Sequence, residues 1–389
     1  MANPWKKIAD SFDQVVRSES TAKTVSRVED QWNKYRHRSK VDDGVLRGVR
    51  VIVYRGYVSG NEARVKVRVV EAPRLPGEES KIPYYDVVNA NLRRHAVLAF
   101  PDVKVTATLA DHVASAETDR HGFASLRLPA GRLAPGWHEV TAVVESQDSE
   151  DQEYVGVGRV LKTPALAPLM VVSDIDDTVL RTGLDEGIVA LRRTLSLDAH
   201  SRRAVPGMAS LYRGLSRGVT DADGGRAPEP GFFYVSTGSW AFYEMLTQFL
   251  QLRGYPRGPL FLTDWGPSER YLRRSGEQHK HETLNKLEAA LPTTPMVLIG
   301  DSGQRDPDIY SSFARSHPGR VRLILIIKAS DASAEKTQQW RDKEEAFAAE
   351  GIPFHVVDDA LQAAIVAHDE GLVDRITIEE VETEMGALF

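Results

Sequence analysis

Three aspartates fall within four positions in the string Ser173-Asp174-Ile175-Asp176-Asp177-Thr178. Carboxylates this crowded repel one another unless a cation or a shared proton intervenes, and hard oxygen donors with room for water suit Mg²⁺. A second acidic string, Gly300-Asp301-Ser302-Gly303-Gln304-Arg305-Asp306-Pro307-Asp308, follows later in the chain. Between them lie a hydroxyl run, Ser236-Thr237-Gly238-Ser239, and Lys280. Hydroxyls and flexible backbone can donate to an anion. Each piece has an ordinary reading by itself. One aspartate caps a helix, Ser-Thr-Gly-Ser starts one, and glycines with an aspartate make a turn. Taken together they point to metal-dependent phosphoryl chemistry.

The elements around these residues support that weighting. From about residue 164 onward, apolar runs at 169–172, 232–235, 296–299, 322–327 and 354–357 alternate with helix-like stretches at 208–215, 241–252, 281–291 and 360–368. Buried strands joined by crossover helices predict an α/β domain with a doubly wound parallel sheet over 164–370. In such a sheet the site lies beyond the carboxyl ends of the strands, where both acidic strings and the hydroxyl run fall. Lys280 is expected to open the helix before the third strand, where a cation opposes the macrodipole and so is more often partnered.

Upstream, period two replaces this pattern. Val65, Val67 and Val69 alternate with Lys66 and Arg68, and 103–109, 137–144 and 154–160 are equally β-rich. Short strands with turn residues between them predict a small antiparallel β-sandwich over 44–163. Residues 1–43 carry Trp5, Ile8, Phe12 and Val15, then Val25, Val28, Trp32 and Tyr35, at helical spacing. This N-terminal helical segment either packs on its own protein or lies on a membrane surface. Residues 371–389 are acidic and are expected to form a solvated tail.

The 389 residues are 42% hydrophobic and 27% charged, which supplies real cores and a polar surface. The net charge of −6 gives no general attraction to nucleic acid. With no cysteine, disulfides, thiolate metal sites and cysteine nucleophiles are excluded. The longest apolar run, 323–327, is far short of the ~20 residues of a membrane span, and the N-terminus lacks the apolar core of a signal peptide. The expectation is a cytoplasmic protein without a transmembrane segment. A peripheral membrane contact is left open by Trp265 and the basic stretch 270–274.

The ordered set Asp174-x-Asp176-x-Thr178, strand-end Ser236, Lys280 and Gly300-Asp301 with Asp306 resembles the haloacid-dehalogenase (HAD) superfamily. The longer strings Asp-Ile-Asp-Asp-Thr-Val and Gly-Asp-Ser-Gly-Gln-Arg-Asp-Pro-Asp-Ile-Tyr resemble one branch, the actin-patch-associated, Mg²⁺-dependent phosphatidate phosphatases. A β-rich domain ahead of the catalytic domain is similar to bacterial members. The resemblance implies Asp174 as nucleophile and Asp176 as general acid and base. It implies Ser236 with nearby backbone N–H groups for the phosphoryl oxygens, and Lys280 for charge balance. Thr178, Thr237, Gly238 and Ser239 complete the implied substrate-binding set. Mg²⁺ would be held by Asp174, the Asp176 carbonyl and Asp301, with Asp306 supporting the metal or Lys280. The implied substrate is phosphatidate or a related lipid phosphate. A soluble phosphate ester, or an inactive scaffold whose β-domain binds a partner, stands as the alternative.

Overall fold

The period-two stretches of the first half form strands because one face of each is apolar and the other is not. In the computed structural model, which describes residues 48–72, 98–145, 153–180, 204–219, 225, 228–263, 274–328 and 334–387, these are β1 (Val49–Val53), β2 (Gly56–Ser59), β3 (Glu62–Glu71), β4 (Lys104–Leu109), β5 (His112–Glu117), β6 (Phe123–Pro129), β7 (Gly136–Glu145) and β8 (Glu153–Lys162). They hydrogen-bond in the order β1-β3-β2-β8-β7-β4-β5, with β6 pairing β3. Their buried faces share one core, including Val65, Val67, Val105, Leu128 and Val140. The sheet is mixed, not purely antiparallel as the sequence suggests. β2 runs parallel to β8 through Gly56↔Val160 and Tyr57↔Leu161. Alternation tells which face of a strand is buried but not which strand lies beside it. The expected N-terminal helical segment, 1–43, and the basic stretch's residues 270–273 with Trp265 lie outside the described residues.

The second half builds a six-stranded, all-parallel sheet from β9 (Met170–Asp174), β10 (Gly231–Ser239), β11 (Leu260–Thr263), β12 (Met296–Asp301), β13 (Val321–Ile327) and β14 (Phe354–Val357). The order is β11-β10-β9-β12-β13-β14. Successive residues of one strand enter different cores. Val171, Val297, Ile299 and Leu325 join one cluster, while Met170, Val172, Leu298 and Ile324 join the other. Strands covered on both faces read as unbroken apolar runs, which is why they are visible in the sequence.

The helices are α1 (Met208–Arg217), α2 (Tyr243–Leu252), α3 (Arg274–Ala290), α4 (Asp306–Ser316), α5 (Ala334–Ala349), α6 (Ala360–Asp369) and α7 (Arg375–Gly386), with a single 3₁₀ turn at Trp240–Phe242 ahead of α2. Two departures from the sequence reading matter. α3 starts seven residues before the expected 281, so Lys280 lies well inside it rather than at its opening. The stretch expected to be a solvated acidic tail carries α7, with Thr377 and Val381 buried. Its acids are used: Glu380 pairs with Arg217, and Glu384 accepts from the N–H groups of Gly207 and Ser210 at 3.2 and 2.9 Å. The latter carboxylate occupies the N-terminus of α1, where unpaired N–H groups favour an anion.

The two sheets meet through aromatic side chains. Tyr54 packs on Trp240 and Tyr243 at ring-centroid distances of 4.4 and 4.7 Å, and Phe123 joins the same group. Lys66 Nζ lies 4.8 Å from the Trp240 ring centroid. The polar face of β3 is therefore an internal contact surface.

Candidate active site

The strand order brings the two acidic strings together. The chain leaves β9 towards β10 and β11, then returns to the other side of β9 with β12, so a crevice opens between the ends of β9 and β12. Asp174 closes β9 and Asp301 closes β12, with fractional exposures of 0% and 1%.

Beyond Asp174 the chain turns at once. Asp177 takes the left-handed conformation at φ 58°, which a short polar side chain tolerates better than a bulky one. Its N–H donates to the Leu180 carbonyl at 2.7 Å. The Ile175 carbonyl accepts from Val179 and Leu180, both at 3.0 Å. Behind Asp174, the Ser173 hydroxyl donates to the Asp174 carbonyl at 2.6 Å and lies 2.6 Å from the Tyr212 hydroxyl. Neither contact is legible in the sequence, because Ser173 reads only as the residue that heads the acidic string and a tyrosine on a helix carries no local signal of a site.

Lys280 reaches this crevice from α3. Its Nζ lies 2.7 Å from Asp174 Oδ1 and also pairs with Asp306, with all three side chains buried. Asp306 opens α4, followed by Pro307 in the first turn. It can sit over the end of β12 because residue 300 is glycine. A Cβ there would stand 2.4 Å from Asp306 Oδ2.

Asp301 uses one oxygen locally. Oδ1 accepts from the N–H groups of Gly303 and Gln304 at 2.6 and 3.0 Å, whereas Oδ2 is buried with no hydrogen-bond partner. Asp174 Oδ2 is likewise buried without a partner. Buried polar atoms are almost always satisfied, so two orphaned carboxylate oxygens mark a place for a ligand. Asp174, Asp301 and Asp306 each offer an oxygen, and the three oxygens lie within 4.8 Å of one another. The donor set fits a hard divalent cation.

The electrostatics agree. Burial pushes the Asp174 carboxyl well above the usual range; Lys280 opposes this, and Asp306, Asp176 and Asp301 reinforce it. Burial also raises Asp301, with Asp306 adding to it, to about 7 despite Lys280 and the two N–H donors. Burial works against the Lys280 ammonium, but Asp174 and Asp306 outweigh it and hold its pKa above the ordinary lysine value. One ammonium therefore faces more buried carboxylate than it can neutralise, and a bound cation would restore the balance.

The remaining sequence-derived residues form a second group. Ser236 donates to Asp176 Oδ2 at 2.8 Å and accepts from the Gly238 N–H at 2.9 Å. The Asp176 side chain thus turns to the hydroxyl run and is not one of the three clustered carboxylates. Thr263 Oγ1 donates to the carbonyls of Thr237 and Gly238 at 2.9 and 3.1 Å, which holds this loop against β11. Ser239 Oγ accepts from the Ala241 N–H at 3.2 Å and so caps the following 3₁₀ turn. Thr178 is fully buried, and its hydroxyl has no partner.

The segment that contributes all of these residues also has relatives. Residues 169–328 match the family described as phosphatidate phosphatase APP1, catalytic domain. Phosphatidate phosphatase APP1 of Saccharomyces cerevisiae is 26% identical over 166 residues, covering 42% of this chain and 27% of that protein. An uncharacterised protein of Schizosaccharomyces pombe is 25% identical over 191 residues, covering 48% of this chain and 29% of its own length. The chain thus spans under a third of the length of either relative. Among solved structures, a carbohydrate acetylesterase from Xanthomonas citri aligns over 85% of this chain and 71% of its own, with 9% identity and a TM-score of 0.28, too low to bear on fold or function.

Proposed function

We propose that this protein is a Mg²⁺-dependent phosphomonoesterase that hydrolyses phosphatidate or a related lipid phosphate through an aspartyl-phosphate intermediate. The observation that carries this reading is the pair of buried, unpartnered carboxylate oxygens on Asp174 and Asp301 beside Lys280. The same reading takes residues 164–370 as a doubly wound, HAD-like catalytic domain, residues 44–163 as a separate β-domain and the site as cytoplasmic.

Asp174 is the nucleophile: its carboxylate attacks phosphorus and displaces the alkoxide, which divides one difficult displacement into two. Lys280 holds the attacking carboxylate in place at 2.7 Å and offsets negative charge on the transferring group. Asp176, protonated, gives its proton to the leaving oxygen, and as carboxylate it then takes one from the water that hydrolyses the aspartyl-phosphate. Ser236 orients Asp176 at 2.8 Å, and the run Ser236 to Ser239 with Thr178 lines the phosphoryl pocket. Asp174, Asp301 and Asp306, with the Asp176 carbonyl, would hold Mg²⁺, which when bound supplies charge neutralisation at the phosphoryl oxygens.

The lipid substrate comes from the family's printed activity and the match over 169–328. The test is release of inorganic phosphate from phosphatidate in detergent micelles beside a panel of soluble phosphate esters, with Mg²⁺ and with excess chelator. Metal-dependent release, fastest on phosphatidate, is expected. Full activity in chelator would remove the metal site as drawn, and release confined to soluble esters would remove the lipid.

A further inference from the structure

A groove of about 480 Å³ separates the edge of the N-terminal sheet from the first turns of α2. Its walls come from β1, β8, α2 and the segment before β11, and none of the clustered carboxylates lines it. The side chains that do are strongly basic. Arg50, Arg55, Arg159 and Arg257 all face it, against a single carboxylate, Glu244. Glu244 is consumed by Arg50, which reaches it with both terminal nitrogens.

That leaves Arg55, Arg159 and Arg257 without an ion pair among the described residues. Arg55 is half-buried, and among the described residues its guanidinium makes one long contact, to the Gly258 carbonyl at 3.5 Å. Its backbone is fixed, because its N–H donates to the Tyr243 hydroxyl at 2.8 Å. Burial holds the Arg55 guanidinium below its ordinary pKa, and Arg257 and Arg159 press in the same direction against Tyr243 and Tyr234. Arg55 is the half-buried member of the three, Arg159 and Arg257 stand exposed at the rim of the same groove, and guanidinium groups match phosphate oxygens in geometry as well as charge.

We propose that Arg55, Arg159 and Arg257 form a second anion site, apart from the carboxylate cluster, that binds a phosphate group across the junction of the two sheets. The phosphate is either free or carried on a lipid headgroup. Arg55 lies in the connection between β1 and β2, Arg159 in β8 and Arg257 in the segment before β11, so the bound anion ties the two halves together. The site stands on its own residues, so it does not depend on the reaction assigned to the carboxylates.

The experiment compares the full-length chain with Arg159→Ala/Arg257→Ala, two exposed positions whose replacement leaves the core untouched. Equilibrium dialysis with radiolabelled inorganic phosphate should show one binding equivalent weakened about tenfold or more in the double variant. Arg159→Lys/Arg257→Lys should recover part of it, and kcat on a soluble ester should be unchanged in both. Thermal unfolding without phosphate confirms that each variant is folded. A second arm sediments the same proteins with phosphatidylcholine vesicles, with and without phosphatidate. A loss of phosphatidate-dependent sedimentation identifies the lipid headgroup as the source, whereas loss in dialysis alone identifies free phosphate. Equal binding by wild type and double variant in both arms would overturn the site. Loss of turnover with unchanged phosphate binding would also count against it, since the arginines would then be serving the reaction.

Discussion

Replacing Lys280 with methionine would leave Asp174 and Asp306 facing each other in a buried crevice with no cation. Breaking a buried ion pair from one side costs about 3–5 kcal/mol, so Lys280→Met should unfold at lower denaturant and lose turnover together. Asp301 offers a test that needs no substrate. Its carboxyl is raised on folding from the ordinary carboxylate range to about 7. A group raised in this way contributes stability that is complete below about pH 4 and lost as pH rises through the folded value. Metal-free protein should therefore lose stability across that window, Asp301→Asn should flatten the decline, and added Mg²⁺ should restore wild type at the alkaline end. Unfolding free energies that track each other through the whole window would contradict it. At this scale the sequence displays Asp174, Asp301 and Ser236, because polar residues at the ends of apolar runs stand out, whereas Lys280 stands inside α3 and is marked only by the order of the set. It does not display the turn of the Asp176 side chain to Ser236, and it leaves open whether Asp306 serves the metal or Lys280, which depends on how α3 and α4 pack.

Close packing of elements makes two glycines sensitive. A Cβ on Gly214 of α1 would come within 2.2 Å of Thr377 on α7, and one on Gly300 would collide with Asp306. Overpacking of this kind costs about 1–3 kcal/mol. Gly214→Ala should lower stability while leaving kcat intact, whereas Gly300→Ala should lower both; equal loss of activity in the two variants would show that stability alone explains the effect. The five strands legible in the sequence are those buried on both faces. β11 escapes because it follows directly on Gly254-Tyr255-Pro256-Arg257-Gly258-Pro259, whose glycines and prolines read as a turn. α5 escapes because, among its described side chains, only Trp340 and Phe347 are buried. α7 reads as a tail because its acids dominate the composition, although Arg217 and the α1 N-terminus answer them.

Across the whole molecule, the β-sheet half buttresses the end of β10. Tyr54 and Phe123 pack on Trp240, the residue that follows Ser239. A chain beginning at residue 163 would expose Trp240, Tyr243 and Phe233. The carboxylates, hydroxyls and lysine all lie after that point, so the truncated chain retains the chemical groups but loses their support. Tyr54→Ala, which removes the centre of the contact, should cost about 3 kcal/mol or more in denaturant unfolding. Unchanged stability would mean that the halves are independent. The proposed reaction turns on an Asp174 carboxylate oxygen as the atom that accepts phosphorus. The most direct measurement is acid quenching during turnover of a phosphate ester labelled with radioactive phosphorus, followed by peptide mapping. The account predicts an alkali-labile label on Asp174 in the wild type and none in Asp174→Asn, which should also release no phosphate. Phosphate release by Asp174→Asn at the wild-type rate would contradict it.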